Sequence, residues 1–200
     1  GDQVLDINCT TANPAPDGSA YSGFRKELHL IDGVDNFIDR PFYMPRIAVE
    51  NMVTVDPAVS TFVENTSINV CLDVPPNTAK NEDGTNFTGQ LSITEVPDGI
   101  APAQMPDAMQ PGLLITIQPV GVTFSTPVPI TFPNIDFLPP GTEVDVWSLD
   151  PDTGTFIAVA IGKVSEDGKI IETISGGVIA ADWHFFAPMR GIPIARGGGD

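Results

Sequence analysis

Lysine is scarce in this chain: Lys26, Lys80, Lys163 and Lys169 are the only four in 200 residues. Nine basic side chains face 26 acidic ones, for a net charge of −17 and a pI near 4.1. Such a polyanion repels phosphate backbones and anionic headgroups, which excludes nucleic acid and acidic lipid surfaces as partners. Long apolar runs are missing as well. Nowhere do about 18 apolar residues follow one another, so no membrane span is expected. Runs free of glycine and proline are equally scarce, because there are 19 glycines and 20 prolines. The longest covers residues 58–74 and alternates with a period of two, which excludes a helix bundle. No basic-apolar leader heads the sequence, so any export signal is expected to be absent or already removed. The two cysteines and two histidines have no zinc-ligand spacing. A Gly-x-Ser-x-Gly elbow and a phosphate-binding glycine loop are both lacking.

What is present is a core. Hydrophobic residues make up 42% of the chain and eleven are phenylalanine, too many for a disordered segment. Turn signals cut the sequence into short pieces. Asp-Gly recurs at 17–18, 32–33, 83–84, 98–99 and 167–168, and Pro139-Pro140-Gly141 marks a further corner. Strand-like runs lie between them at 24–30, 46–55, 67–74, 89–96, 113–119, 128–132, 143–149, 155–160, 169–174 and 178–187. Two hairpins stand out, one turning at 150–154 and one at 166–168. In the first, Val144 and Val146 face inward, while Trp147 falls on the polar side unless a second layer covers it. The proline-rich stretch 97–111 cannot be a regular helix and reads as an ordered crossover. The pattern predicts an all-β, antiparallel Greek-key β-sandwich over residues 59–189. A smaller β lead-in at 1–58 precedes it, and a linker-like tail at 190–200 follows.

Candidate sites are few. In 67–74, Ile68, Val70, Leu72 and Val74 share one face and Cys71 the other. A disulfide from Cys9 to Cys71 would clamp the N-terminal strand across that outer face, contributing about 4 kcal/mol. Calcium is the one metal the donor set suits, since hard oxygen ligands abound. The first cluster is Asp32, Asp35, Asn36 and Asp39. A second is Asn81, Glu82, Asp83 and Asn86, and a third is Asp150 with Asp152; all three double as ordinary turn formers. Asn8, Asn65 and Asn86 head glycosylation sequons. His29 alternates with Leu28 and Leu30 and is expected to face solvent.

From about Val70 onward the chain resembles the β-sandwich modules of large bacterial cell-surface proteins. The residues that carry the likeness are VPPNTAKNEDGTNFTGQLSITEVP, PGLLITIQPVGVTFSTPVPITFPN, LPPGTEVDVWSLDPDTGTF and ADWHFFAP, with DGVDNFIDRPFYMPRI as a similar lead-in. More distantly, the order resembles the sandwich domain of ankyrins, netrin receptors and inflammasome sensors. Some sensor-branch members cleave themselves after a His-Phe pair, using the serine that follows. Here His184 and Phe185 match that pair, but Phe186 stands at the attacking position, and a phenyl ring cannot attack a carbonyl. The motif is therefore degenerate, and His184 reads as a strand histidine satisfied by a carboxylate or carbonyl.

The resemblance implies a secreted or cell-surface module without catalysis: a spacer, stalk or fibre subunit. Its expected partners are neighbouring copies or flanking domains, met through edge or N-terminal strands. The alternative is an adhesin-type module for a carbohydrate or protein ligand, for which Tyr21, Phe42, Tyr43 and Trp147 are the candidate aromatics.

Overall fold

The computed structural model describes residues 1–7, 9, 12–16, 18–38, 44–97, 100–101, 103–106, 109–150 and 152–189. The 190–200 tail and the sequon residue Asn8 lie outside that set, as do Asp39, Phe42 and Tyr43. Among the described residues fifteen strands are formed and no α-helix occurs. The first eight are β1 (Asp2–Ile7), β2 (Phe24–His29), β3 (Val53–Thr54), β4 (Thr61–Asn65), β5 (Val70–Val74), β6 (Ala79–Lys80), β7 (Gln90–Val96) and β8 (Leu114–Gln118). The rest are β9 (Thr123–Val128), β10 (Ile130–Pro133), β11 (Glu143–Leu149), β12 (Phe156–Val164), β13 (Ile170–Gly176), β14 (Val178–Ala180) and β15 (Trp183–Pro188).

Ten strands make one antiparallel sheet in the order β3-β7-β8-β15-β11-β12-β13-β10-β5-β4. It curls until β4 meets β3 and β7, so the sheet nearly closes on itself. A three-stranded sheet, β14-β9-β6, covers the open side. The architecture is the expected all-β sandwich. Proline and glycine place the changes of sheet. Pro129, with no amide hydrogen to give, separates β9 from β10. Gly176 and Gly177 have φ of 74° and 156° between β13 and β14. A Cβ on Gly176 would lie 2.3 Å from the Val159 carbonyl oxygen, so no larger residue fits that corner.

Period-two alternation fills the interior. Val70, Leu72 and Val74 of β5 are fully buried, and they meet Ile115, Ile117, Phe132, Val146 and Phe186 in one cluster. The sheet also carries apolar side chains on part of its outer face. Leu114, Leu149, Phe156, Trp183 and Phe185 point outward and form a second cluster. Two layers cover them. The β1–β2 hairpin inserts Phe24, whose ring meets Trp183 edge-on at 5.9 Å. The crossover contributes Ile100, Ala101, Ala103, Met105 and Met109. Trp147 is sheltered by this layer and stacks on Phe185 with centroids 6.0 Å apart. Burying a ring such as Phe24 contributes about 1.5–3 kcal/mol. This outer cluster, rather than strand pairing, attaches the β1–β2 hairpin to the sandwich. Val53 and Thr54, within the expected lead-in, are hydrogen-bonded into the large sheet through β7.

Candidate functional site

The expected disulfide is not formed: Cys9 and Cys71 are both free thiols. The N-terminal hairpin lies over the apolar outer cluster around Trp183, because Phe24 has a socket there. The outer face around Cys71 carries Glu64, Asp73 and Glu172 along an open groove that no described residue of the hairpin lines. Cys9 is buried, 3.1 Å from both the Ser22 carbonyl oxygen and the Met44 sulfur. Burial pushes both thiols above their ordinary range, and Glu64 and Asp73 add to the effect at Cys71. Neither is poised as a nucleophile.

The first acidic cluster is not assembled as a calcium cradle. The Asn36 side chain is committed to its own loop: Oδ1 accepts from the Ile31 amide, and Nδ2 donates to the Ile31 and Val34 carbonyls. Asp32 and Asp35 are exposed, and Asp39 lies outside the described residues. Among the described residues, no three His, Cys, Asp or Glu side chains are grouped to hold a metal ion. Of the sequon asparagines, Asn65 is 3% exposed and its Nδ2 donates to the Ile93 carbonyl at 2.9 Å. A glycan there would require that bond to break. Asn86 is exposed, with Lys80 donating to its Oδ1.

His184 is 0% exposed and points into the interior beside Phe186, with Ile115 and Ser148 as its cross-strand neighbours. No carboxylate partners the ring; the Ala180 carbonyl draws on it without reaching full hydrogen-bond geometry. Burial pushes its pKa down to about 3, against a weak opposing pull from the Ala180 backbone. It stays a neutral ring in an apolar core. His29 is exposed and pairs with Asp2 at 2.6 Å, which holds the Asp2 carboxyl below its ordinary range.

Of the candidate aromatics, Phe42 and Tyr43 lie outside the described residues; Trp147 lies against Phe185, while Tyr21 bridges to Arg46. Among the described residues the exposed phenyl rings are Phe37 (89%), Phe137 (91%) and Phe62 (61%), on three separate elements. Phe62 edges an outer groove with Cys71, Asp73, Pro129, Thr131 and Ile174.

One constellation does converge, and it joins the second and third acidic clusters. Asp150 and Asp152 sit on the β11–β12 turn, where Asp150 accepts from the Asp152 amide and the Thr153 hydroxyl. Gly154 ends that turn so close to β2 that a Cβ would lie 2.4 Å from the Glu27 nitrogen. The turn is thereby pressed beside Arg25. Arg25 pairs with Asp6 at 3.1 Å and Glu82 at 3.3 Å. Between them lies a cavity of about 280 Å³, lined by Arg25, Glu82, Asp150, Asp152 and Asp182 over a floor from Gly121 to Thr123 and Ile179 to Ala181. Asp182 is 1% exposed, with Oδ1 accepting from the Trp183 amide at 3.0 Å. Burial pushes its carboxyl up to about 8; the Trp183 amide and Arg25 pull the other way. The sequence reading passed over Asp182, although one acid inside the apolar run VIAADWHFFA was the signal for it.

No family model, curated protein or solved structure matches the chain. The molecule is an all-β protein of antiparallel sheets around one interior cluster.

Proposed function

We propose that this chain is a non-catalytic structural module of a secreted or cell-surface protein, serving as a spacer, stalk or fibre subunit. The observation that carries the reading is the state of His184. The one histidine in a motif associated with chemistry is sealed in the core, without a hydrogen bond and beside a phenyl ring. Its cross-strand neighbour Ser148 is equally buried, with the hydroxyl donating to the Leu149 carbonyl rather than to the ring. The likeness to surface-protein sandwiches and the acidic, lysine-poor composition support the same reading.

Self-association has an available edge. Among the described residues β1 hydrogen-bonds only to β2. The reciprocal bonds between Gly1 and Leu30 fix the register, so the backbones of Asp2, Val4 and Asp6 face away from β2. A neighbouring strand can add there. At −17 per copy, association requires screening of charge. Light scattering across ionic strengths, with intact mass after prolonged incubation, tests both halves. The expected result is one uncleaved chain that assembles as salt rises. A strict monomer at every salt, or two fragments meeting at Phe185–Phe186, contradicts the reading.

A further inference from the structure

The cavity beside the β11–β12 turn has three properties that together define a ligand class, and this goes beyond a structural role. The first is its sign. Arg25 is the one cation among the lining residues, and its guanidinium is already shared between Asp6 and Glu82. Asp150 and Asp152 are left without a cation, and Arg25 reaches Asp182 only through its field. The second is Asp182 itself. It is 1% exposed yet lines the cavity, and only its Oδ1 is hydrogen-bonded; no donor reaches Oδ2. Oδ2 opens on the cavity, where an incoming donor can reach it. The third is shape. The carboxylates are not grouped to chelate one ion, and about 280 Å³ is far more than a bare cation fills.

We infer that this cavity binds a primary ammonium group, with the ammonium donating to Asp182 Oδ2 and the attached alkyl chain leaving past Asp150 and Asp152. An ammonium suits the site better than a guanidinium, because a forked donor needs two free carboxylate oxygens and Asp182 has one. The apolar floor of Val122, Ile179 and Ala181 accepts the alkyl stem. The shared chemistry is that of a lysine side chain on a partner polypeptide and of a free aliphatic diamine.

Binding is coupled to a proton. At neutral pH burial keeps Asp182 protonated, and an ammonium at Oδ2 takes the place of that proton. The charged groups around it are Arg25 on β2, Asp6 on β1, Asp150 and Asp152 on the turn, and Glu82 ahead of β7. His184, two residues further on in β15, faces the interior.

Calorimetric titration of the full chain at neutral pH tests this, with cadaverine and Nα-acetyl-lysine-N-methylamide as separate ligands. Two buffers of different ionisation enthalpy count the protons released. The expected result is one saturable site with close to one proton released per ligand. Asp182→Asn keeps the acceptor for the Trp183 amide; it is expected to bind about tenfold more weakly and release no proton. Asp152→Asn, at the exposed mouth, is expected to weaken binding about threefold. That variant and the wild-type proton count decide the matter should Asp182→Asn not fold. Tighter binding of the lysine derivative assigns the site to a partner chain, and tighter binding of cadaverine to a free amine. Absence of saturable heat with both amines overturns the inference. So does unchanged affinity in a folded Asp182→Asn, equal binding of an arginine derivative, or calcium taking the site where the amines do not.

Discussion

Raising the pH from about 6.5 to 8 should cost the folded chain about 2 kcal/mol, through one carboxyl group. Asp182 has its pKa raised from 3.8 to about 8, so the folded state holds one more proton than the unfolded state between those values. Stability then falls with rising pH by about 1.4 kcal/mol per unit. His184 has its pKa lowered from 6.5 to about 3, so between those values the unfolded state holds the extra proton. Its contribution falls as pH drops, with the same slope and opposite sign. The slopes cancel where the windows overlap, from 3.8 to 6.5, which gives a plateau. Above 6.5 Asp182 acts alone until about 8, and the loss over that interval is about 2 kcal/mol. The lowered carboxyls of Asp2, Asp83 and Asp167 titrate below this window and the raised thiols of Cys9 and Cys71 above it; Asp136, raised by burial, adds a falling slope from 3.8 upward that wild type and Asp182→Asn share. Urea unfolding at about pH 5, 6.5 and 8, for wild type and Asp182→Asn, reads the effect directly. The variant should stay level from 6.5 to 8 while wild type declines. Parallel curves for the two proteins would refute the reasoning.

Other perturbations follow from the same packing. Phe24→Ala empties the socket beside Trp183 and should cost about 3–5 kcal/mol in urea unfolding, with red-shifted tryptophan emission; a loss below about 1 kcal/mol would show that the hairpin is not anchored there. His184→Leu removes two buried nitrogens that have no partners, so it should raise stability at about pH 4 relative to wild type, measured as Tm. A fall in Tm at that pH would contradict the unpaired state of the ring. The free thiols predict an intact mass unchanged by reduction, slow labelling of Cys71 and labelling of Cys9 only on unfolding. A mass gain on reduction would restore the disulfide.

Much of the sandwich was legible because it rests on local rules. Val70, Leu72 and Val74 announce the inner face of β5, and the turns at 150–154 and 166–168 announce the hairpins. Strand β9 was missed because Pro127 sits in it, and proline argues against a ladder position. The outer cluster was half legible. Runs such as LLITI and WHFFA are apolar at both parities, the mark of a strand covered on two sides. What covers them is set by long-range docking of Phe24 and the crossover, which no local pattern encodes. The disulfide failed for the same reason: alternation gives the face of Cys71, but not which outer face the N-terminal hairpin will cover. The cavity depends on five segments distant in sequence, so Glu82, Asp150 and Asp152 were visible only as two separate acidic turns. Asp182 became meaningful once its burial was known.

The proton titration of His184, followed by its ring carbon-bound proton in NMR, tests the sealed, non-reactive core most directly. A ring with its pKa near 3 shows no shift as the folded protein is taken from neutral pH to about 4.5. A transition centred between about 6 and 7 in the folded protein would mean that water or a partner reaches the ring, and the structural account would fail.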